Sequence, residues 1–120
     1  MLIARNADVQ SITMKKVEGL PIRGEVTLKP MMVGDKMIML EIHYPSGSGS
    51  PVHTHDHESV CYVVKGRVKV VVEQEEYTLG PGDACIHPKG IAHGIESLED
   101  AVILEIKSPP LPLEQFLGLD

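Results

Sequence analysis

The chain has 120 residues, a length that fits one domain with its own core and is too short for two. Hydrophobic residues make up 42% of it and charged residues 23%, an ordinary balance for a globular protein. The formal net charge of −6 argues against a nucleic-acid surface, because phosphate binding depends on clustered lysine and arginine. Two cysteines are too few for a disulfide scaffold, so we expect free thiols in a reducing compartment.

Nothing in the sequence directs the protein to a membrane. The first ten residues include Arg5 and Asp8 and lack the apolar core of a secretory signal. The longest apolar stretches, such as residues 60–64, have the length of a strand and cannot span a bilayer. We therefore expect a cytoplasmic protein with neither a nucleic acid nor a membrane as partner.

Taken in chain order, the predicted elements are almost all β-strands. Short runs that alternate in polarity or are rich in valine and isoleucine are separated by turn residues such as Gly80-Pro-Gly-Asp83. Many short strands at this spacing indicate a sandwich or a closed barrel. The predicted strands are residues 22–28, 36–44, 60–64, 67–73, 76–79, 83–87, 91–95 and 101–107.

Two segments depart from this rhythm. Residues 45–51, Pro-Ser-Gly-Ser-Gly-Ser-Pro, predict a loop, and residues 108–120 predict an extended proline-rich tail with a short helical turn at 113–119. We expect the barrel core within residues 22–107. Because the chain has one Phe, three Tyr and no Trp, we expect aliphatic side chains and methionines to fill that core.

Two short blocks of the sequence carry histidines at ordered spacings. The first block, residues 47–55, ends in His53-Thr-His55, a spacing that on a β-strand points both side chains to one face. The second block, residues 82–93, reads Gly-x5-Pro-x-Gly-x2-His and ends in His93. A His-x-His pair alone is weak evidence of a metal site, but two blocks in this order form a specific signal.

Together the two blocks resemble the signature motifs of the cupin family, and the likeness extends over about residues 22–107. The resemblance implies an all-β fold, the cupin double-stranded β-helix or jelly-roll barrel, as a single domain over residues 1–120. It also implies that His53, His55 and His93 bind one divalent metal ion, Zn, Fe, Ni or Mn, inside the barrel. Three neutral imidazoles leave positions open for water or substrate and leave the ion a strong Lewis acid.

The glutamate that cupins carry in the first motif is missing here. Its position is Ser59, a poor ligand that could at most hold a metal-bound water, and Glu58 stands one residue early. His57 or Glu58 is an alternative as compensating ligand, and Cys61 shares a face with Ser59, so we expect all four in or near the pocket. His87 is expected to be a hydrogen-bonded wall residue. A barrel that lost its metal and kept a buried polar cluster is the remaining alternative.

Within the family, the chain resembles the small single-domain cupins that linearise unsaturated uronates in pectin degradation. Those proteins end with an acidic residue, an aromatic residue, Ser-Pro-Pro and an arginine. Here Glu105 is the acidic residue, Lys107 stands in the aromatic position and Leu111 in the arginine position. The resemblance makes Glu105 the candidate catalytic acid or base, whereas Leu111 cannot clamp a substrate carboxylate as arginine would.

Three functions stay open at this point. The first, which we favour, is a metal-dependent enzyme with isomerase or lyase chemistry on a small carbonyl compound or sugar acid. The second is a three-histidine non-haem iron dioxygenase, and the third is a non-enzymatic barrel that binds a small ligand. Because this fold occurs in proteins with many different activities, the fold alone does not discriminate among the three functions. We also expect a homodimer that shares N-terminal and edge strands.

Overall fold

A computed structural model describes residues 2–110 and residue 112. Within this part of the chain, a single 3-10 turn, Asn6–Asp8, precedes a run of short strands. The strands are β1 Ile12–Thr13, β2 Lys16–Val17, β3 Leu20–Pro21, β4 Thr27–Val33, β5 Ile38–Tyr44, β6 Gly49–His53, β7 Glu58–Lys65, β8 Val68–Val72, β9 Glu75–Leu79, β10 Ala84–His87, β11 His93–Ser97 and β12 Ala101–Ser108.

The strands assemble into two larger sheets and a hairpin. A six-stranded sheet has the order β1-β4-β5-β12-β7-β10, a four-stranded sheet has the order β6-β11-β8-β9, and β2 pairs with β3. All the pairings are antiparallel. The predicted all-β class is confirmed. Among the described residues, no helix has the length and apolar character needed to cross a bilayer.

Strand β12 shows how the sequence divides the interior into an apolar and a polar part. It lies between β5 and β7, and every second side chain, starting at Ala101, points inward and is buried. Because side chains alternate along a strand, Ala101 and Ile103 join the apolar core while Glu105 and Lys107 enter the same interior farther along. The buried polar side chains of β12 therefore lie toward one end of the barrel.

The apolar part of the core is aliphatic, as expected, but the methionines do not fill it. Met37 is exposed and Met39 is half-buried, because Ile38, Leu40 and Ile42 take the inward positions of β5. Met31 and Met32 are also only half-buried. The buried cluster consists of Val26, Leu28, Ile38, Leu40, Ile42, Tyr44, Cys61, Val63, Val68, Val70, Ala101 and Ile103.

The strand predicted at residues 22–28 is wrong in position. Gly24 has φ +83°, in the left-handed region, which interrupts an extended chain. Strand β4 begins only at Thr27 and continues through Pro30 to Val33, with an irregularity between Pro30 and Met32. An irregular position in the ladder accommodates a proline that cannot donate a hydrogen bond.

The loop predicted at residues 45–51 is correct only in its first half. Strand β6 begins at Gly49, which pairs with Glu96 of β11, and a Cβ at Gly49 would collide with the Ile95 carbonyl. The strand predicted at 91–95 likewise begins later, at His93. The helical turn predicted at 113–119 lies outside the described residues, as does Leu111.

Candidate metal centre

Three buried imidazoles converge where the two sheets of the barrel wall meet the loop after β6. His53 ends β6 and His93 begins β11, and the two are register partners. His55 lies beyond β6, in the loop to β7. The ring centroids are 4.4 Å apart for His53 and His55, 4.5 Å for His53 and His93, and 5.0 Å for His55 and His93. Each of the three offers a nitrogen within 4.8 Å of the others.

Each imidazole is oriented through its Nδ1 atom. A carbonyl or carboxylate oxygen can only accept a hydrogen bond, so Nδ1 carries the proton and Nε2 keeps its lone pair for a metal. The Nε2 atoms of His53 and His55 are 2.8 Å apart, close enough to share one ion at the usual Zn–N distance of about 2.0–2.1 Å. The Nδ1 acceptors are the Pro51 carbonyl for His53 at 2.6 Å, the Ile91 carbonyl for His93 at 3.1 Å and the Glu18 carboxylate for His55 at 2.9 Å.

Burial keeps these imidazoles uncharged. It lowers the pKa of His53, and it lowers the pKa of His93 to about 4, with repulsion from His87 adding to the effect. Burial, helped by the Lys107 ammonium, lowers the pKa of His55 to about 2. A metal ligand must be deprotonated, and these groups are neutral throughout the physiological range. The three residues therefore fit a divalent metal ion.

The same shifts predict that the metal-free protein loses stability as the pH falls below about 6.5. An unfolded imidazole takes up its proton near pH 6.5, whereas His93 takes up its proton only near pH 4 in the folded state. Between these values the unfolded state binds more protons, so the free energy of unfolding falls by up to about 1.4 kcal/mol per pH unit for each such group. Urea unfolding of chelator-treated protein between pH 7 and pH 4 measures the slope.

The matched control for this experiment is His93→Gln, which removes one of the contributing imidazoles. We expect its stability to depend less steeply on pH than that of the wild type over the same interval. Identical slopes for the two proteins would show that His93 is not held neutral by the fold.

Glu18 is a part of the centre that the sequence pattern did not reveal. It lies in the turn between β2 and β3, with φ +48°, and its contact joins residues 37 positions apart. The dipeptide Glu18-Gly19 is the local signal for a chain reversal at this point. No motif spacing relates Glu18 to His55. A carboxylate behind a ligand histidine fixes the ring orientation and raises the basicity of the metal-facing nitrogen.

We expect Glu18→Ala to lower zinc affinity by about 10–100-fold, the usual effect of removing a partner of a metal-bound histidine. Glu18→Gln should lose less, because its amide oxygen can still accept the hydrogen bond from His55 Nδ1. Competition with a chromogenic chelator measures both affinities. Equal affinities in the wild type and Glu18→Ala would contradict the role of Glu18.

A buried ion pair lies in the same cavity as the three imidazoles. Lys107 Nζ is 2.6 Å from Glu105 Oε1, and Lys107 also donates to His57 Nε2 at 3.3 Å. Burial alone raises the pKa of Glu105, but the attraction and hydrogen bond of Lys107 outweigh it and hold the pKa below its usual value. Glu105 is therefore an ionised carboxylate at neutral pH, stabilised by the Lys107 ammonium.

The position of the missing motif glutamate lies beside this pair. Ser59 is buried on the inner face of β7 and is the register partner of Lys107. Its Oγ is 3.5 Å from Nδ1 of His87, whose ring stacks on His93 with centroids 3.9 Å apart. Cys61, two residues along β7, lines the cavity. A cation thus stands next to the place where other cupins put a carboxylate.

The two alternatives for a compensating ligand do not join the imidazoles. Glu58 is exposed on the outer face of β7, because side chains alternate and Ser59 takes the inward position, so its expected place in the pocket is wrong. His57 is buried, with its ring 4.3 Å from that of His55. Its Nε2 accepts a hydrogen bond from Lys107, so this nitrogen faces the ion pair.

Comparison with known proteins identifies the family. The model of the cupin domain matches residues 40–107, which hold both histidine blocks. The chain belongs to the cupin family. This cupin is 36% identical over 77 residues to the pectin degradation protein KdgF of Dickeya dadantii, covering 62% of the chain and 70% of that protein. The structure of KdgF from Halomonas sp. superposes with a TM-score of 0.79 at 26% identity, covering 92% of the chain and 96% of that protein.

A third relative of this cupin is dimethylsulfoniopropionate lyase DddQ of Ruegeria pomeroyi. It is 27% identical over 66 residues, which are 54% of this chain and 33% of that protein. The resemblance to small cupins of the pectin-degradation type is confirmed by the two KdgF matches. The jelly-roll barrel predicted from the sequence is confirmed with it.

Proposed function

We propose that this cupin is a metal-dependent isomerase or lyase for a small sugar acid, and that ring opening of an unsaturated uronate is its reaction. The observation that carries the proposal is the placement of the Glu105–Lys107 pair in the cavity of the three imidazoles. That arrangement offers a base, a cation and a metal position to one small substrate. The likeness to KdgF supports the sugar acid as substrate class.

The metal would be held by His53, His55 and His93. When bound, it supplies Lewis-acid polarisation of a substrate oxygen. The chain's own contribution is to hold the three rings by their Nδ1 atoms and to line the rest of the cavity with apolar side chains, among them Leu40 and Ile103. Apolar walls exclude water and strengthen the electrostatic interactions inside.

Glu105 would act as the base. Opening the ring of an unsaturated uronate removes the proton of the anomeric hydroxyl, breaks the bond between C1 and the ring oxygen, and forms an aldehyde at C1. The ring oxygen leaves as an enolate, which takes up a proton at C4 and becomes a ketone, so the product is an isomer of the substrate. An ionised carboxylate suits the first of these proton transfers, and Glu105 can return the proton in the second.

Lys107 would bind the carboxylate of the substrate. The arginine of the pectin-degradation motif is replaced by Leu111, which supplies no charge. The Lys107 ammonium lies inside the cavity beside Ser59, where the motif glutamate would otherwise repel an anion. An ammonium gives a point charge where a guanidinium would give two parallel hydrogen bonds, so we expect looser substrate orientation than in an arginine-containing relative.

The test uses 4,5-unsaturated galacturonate and zinc-, nickel-, manganese- or iron-loaded protein. We expect loss of the ultraviolet absorbance of the conjugated double bond and appearance of the open-chain keto acid by NMR, without oxygen consumption. His93→Ala and chelator-treated wild type serve as controls. Oxygen uptake coupled to substrate loss would overturn the proposal in favour of a dioxygenase. Tight binding of the uronate without turnover would overturn it in favour of a binding barrel.

The homodimer stays a prediction, and one surface supports it. Edge strand β10 and its neighbour β7 expose apolar side chains on their outer faces, including Tyr62, Val64 and Ile86. Exposed apolar surface at a sheet edge favours association with a second copy. We expect sedimentation velocity to show a dimer for the wild type and a monomer for Ile86→Lys. A monomeric wild type would contradict the prediction. Lys36→Ala is the control substitution, because Lys36 is exposed and lies between β4 and β5, away from β10.

A further inference from the structure

A second group of metal-binding side chains lies on the wall next to the three imidazoles. Cys61 of β7 and Cys85 of β10 are register partners, and His87 follows two residues after Cys85 on the same face of β10. Both cysteines are free thiols. Cys61 and His87 are buried, and Cys85 is half-buried. We refer to Cys61, Cys85 and His87 as the thiol cluster.

The ligand atoms of the thiol cluster lie close enough together to be candidates for one ion. The Cys85 sulfur is 3.6 Å from His87 Nε2 and the Cys61 sulfur is 3.9 Å from His87 Nδ1, so the two thiols contact different nitrogens of one ring. One ligand atom from each residue lies within 4.8 Å of the others. Around a tetrahedral ion with Zn–S of about 2.3 Å and Zn–N of about 2.0–2.1 Å, neighbouring ligand atoms are roughly 3.5–3.8 Å apart. Bringing the three ligand atoms from within 4.8 Å of one another to this separation would place them on one ion.

We propose that the thiol cluster binds a second, thiophilic metal ion, with Zn²⁺ as the ion of first choice. Two thiolates and an imidazole are the soft ligand set that selects zinc or Cu(I) over Mn²⁺ or Mg²⁺. None of these residues is one of the three imidazoles that the motif spacing assigns to a metal.

Charge balance allows both sites to be filled in one barrel. The three-imidazole centre is neutral and leaves its ion with the full double charge. Two thiolates neutralise a second divalent ion, so the thiol cluster adds no further net positive charge beside the first. The stack of His87 on His93, with rings inclined by only 7°, places the two ligand groups side by side without a shared residue.

Cobalt substitution separates the two sites, because only thiolate ligands give an intense sulfur-to-cobalt charge-transfer absorption in the near ultraviolet. We titrate reduced His93→Ala with Co²⁺, so that the thiol cluster is read out without the three-imidazole centre. We expect about one Co²⁺ per chain and a clear charge-transfer band. Adding Cys85→Ser to this background should abolish the band and the bound ion. Because Cys85 is only half-buried, we expect this substitution to change the free energy of unfolding little.

Alkylation of the wild type gives a second readout that needs no variant. We expect one equivalent of Zn²⁺ beyond the first to slow iodoacetamide labelling of Cys85 at least about tenfold, because a metal-bound thiolate is protected. Absence of the charge-transfer band, together with labelling that zinc does not slow, would overturn the thiol cluster as a metal site. A band that survives Cys85→Ser would do so as well. Neither result depends on the uronate assay, so the two proposals fail separately.

Discussion

In His93→Ala we expect the zinc bound by the three-imidazole centre to be lost and turnover of the uronate to fall at least about a hundredfold. Removing a hydrogen-bond partner behind a ligand already costs about 10–100-fold in affinity or activity, so removing a ligand itself should cost more. Two imidazoles, His53 and His55, are left, and a divalent ion held by two neutral ligands dissociates readily. Metal content by mass spectrometry and steady-state kinetics measure the two losses.

The control for this variant is His43→Gln. His43 is a histidine on β5 with a partly exposed side chain, and its Nε2 contacts Glu41 at 2.8 Å, away from the centre. We expect it to keep both metal and activity. If His93→Ala instead bound as much zinc per chain as the wild type and kept its turnover, the three-imidazole centre would not be the site of the chemistry.

Breaking the buried Glu105–Lys107 pair should destabilise the protein strongly. Both side chains are about nine-tenths buried, so Lys107→Met leaves a carboxylate without its partner in the barrel. We expect the free energy of unfolding to fall by about 3–5 kcal/mol, the usual cost of removing one partner of a buried ion pair. Urea unfolding of the metal-free protein measures it.

The double variant Glu105→Gln/Lys107→Met distinguishes pairing from packing. With both charges gone, we expect most of the stability lost in Lys107→Met to return, because no unpaired charge stays buried. Glu105→Gln alone should keep its metal while turnover falls by about 10²–10⁴-fold, the range for loss of a general base. Additive losses of stability in the double variant would show that the two side chains do not act as a pair.

The sequence predicted the fold well because its signals are local. The alternation in β5 and β12 marks which side chains face the core, and the turn at Gly80-Pro-Gly82 separates two strands at the expected place. Strand β4 begins later than predicted and runs through Pro30, a residue that is unfavourable in a strand interior and is accommodated here by the irregular pairing with β5. Gly49 was assigned to a loop by composition, although its lack of a side chain is what allows close pairing with β11.

The candidate site could be predicted from the sequence only as far as its three imidazoles. The motif spacing indicated His53, His55 and His93. Strand alternation places only His53, since His55 lies beyond the end of β6. Glu18 contacts His55 across 37 positions, and the pairing of Lys107 with Ser59 depends on the register of β12 against β7. Such long-range contacts leave no periodic trace in a single sequence.

The position of Glu18 in the β2–β3 hairpin has a consequence for how metal affinity could change in such a protein. The three ligands belong to the wall of the barrel or border it, whereas Glu18 sits on a two-stranded hairpin outside both large sheets. A substitution of Glu18 itself is expected to change how tightly an ion is held at the three imidazoles while leaving the buried cluster of the barrel unchanged. If the proposed site is correct, affinity for the ion could be adjusted by rebuilding one short turn, separately from the residues proposed to act on the substrate.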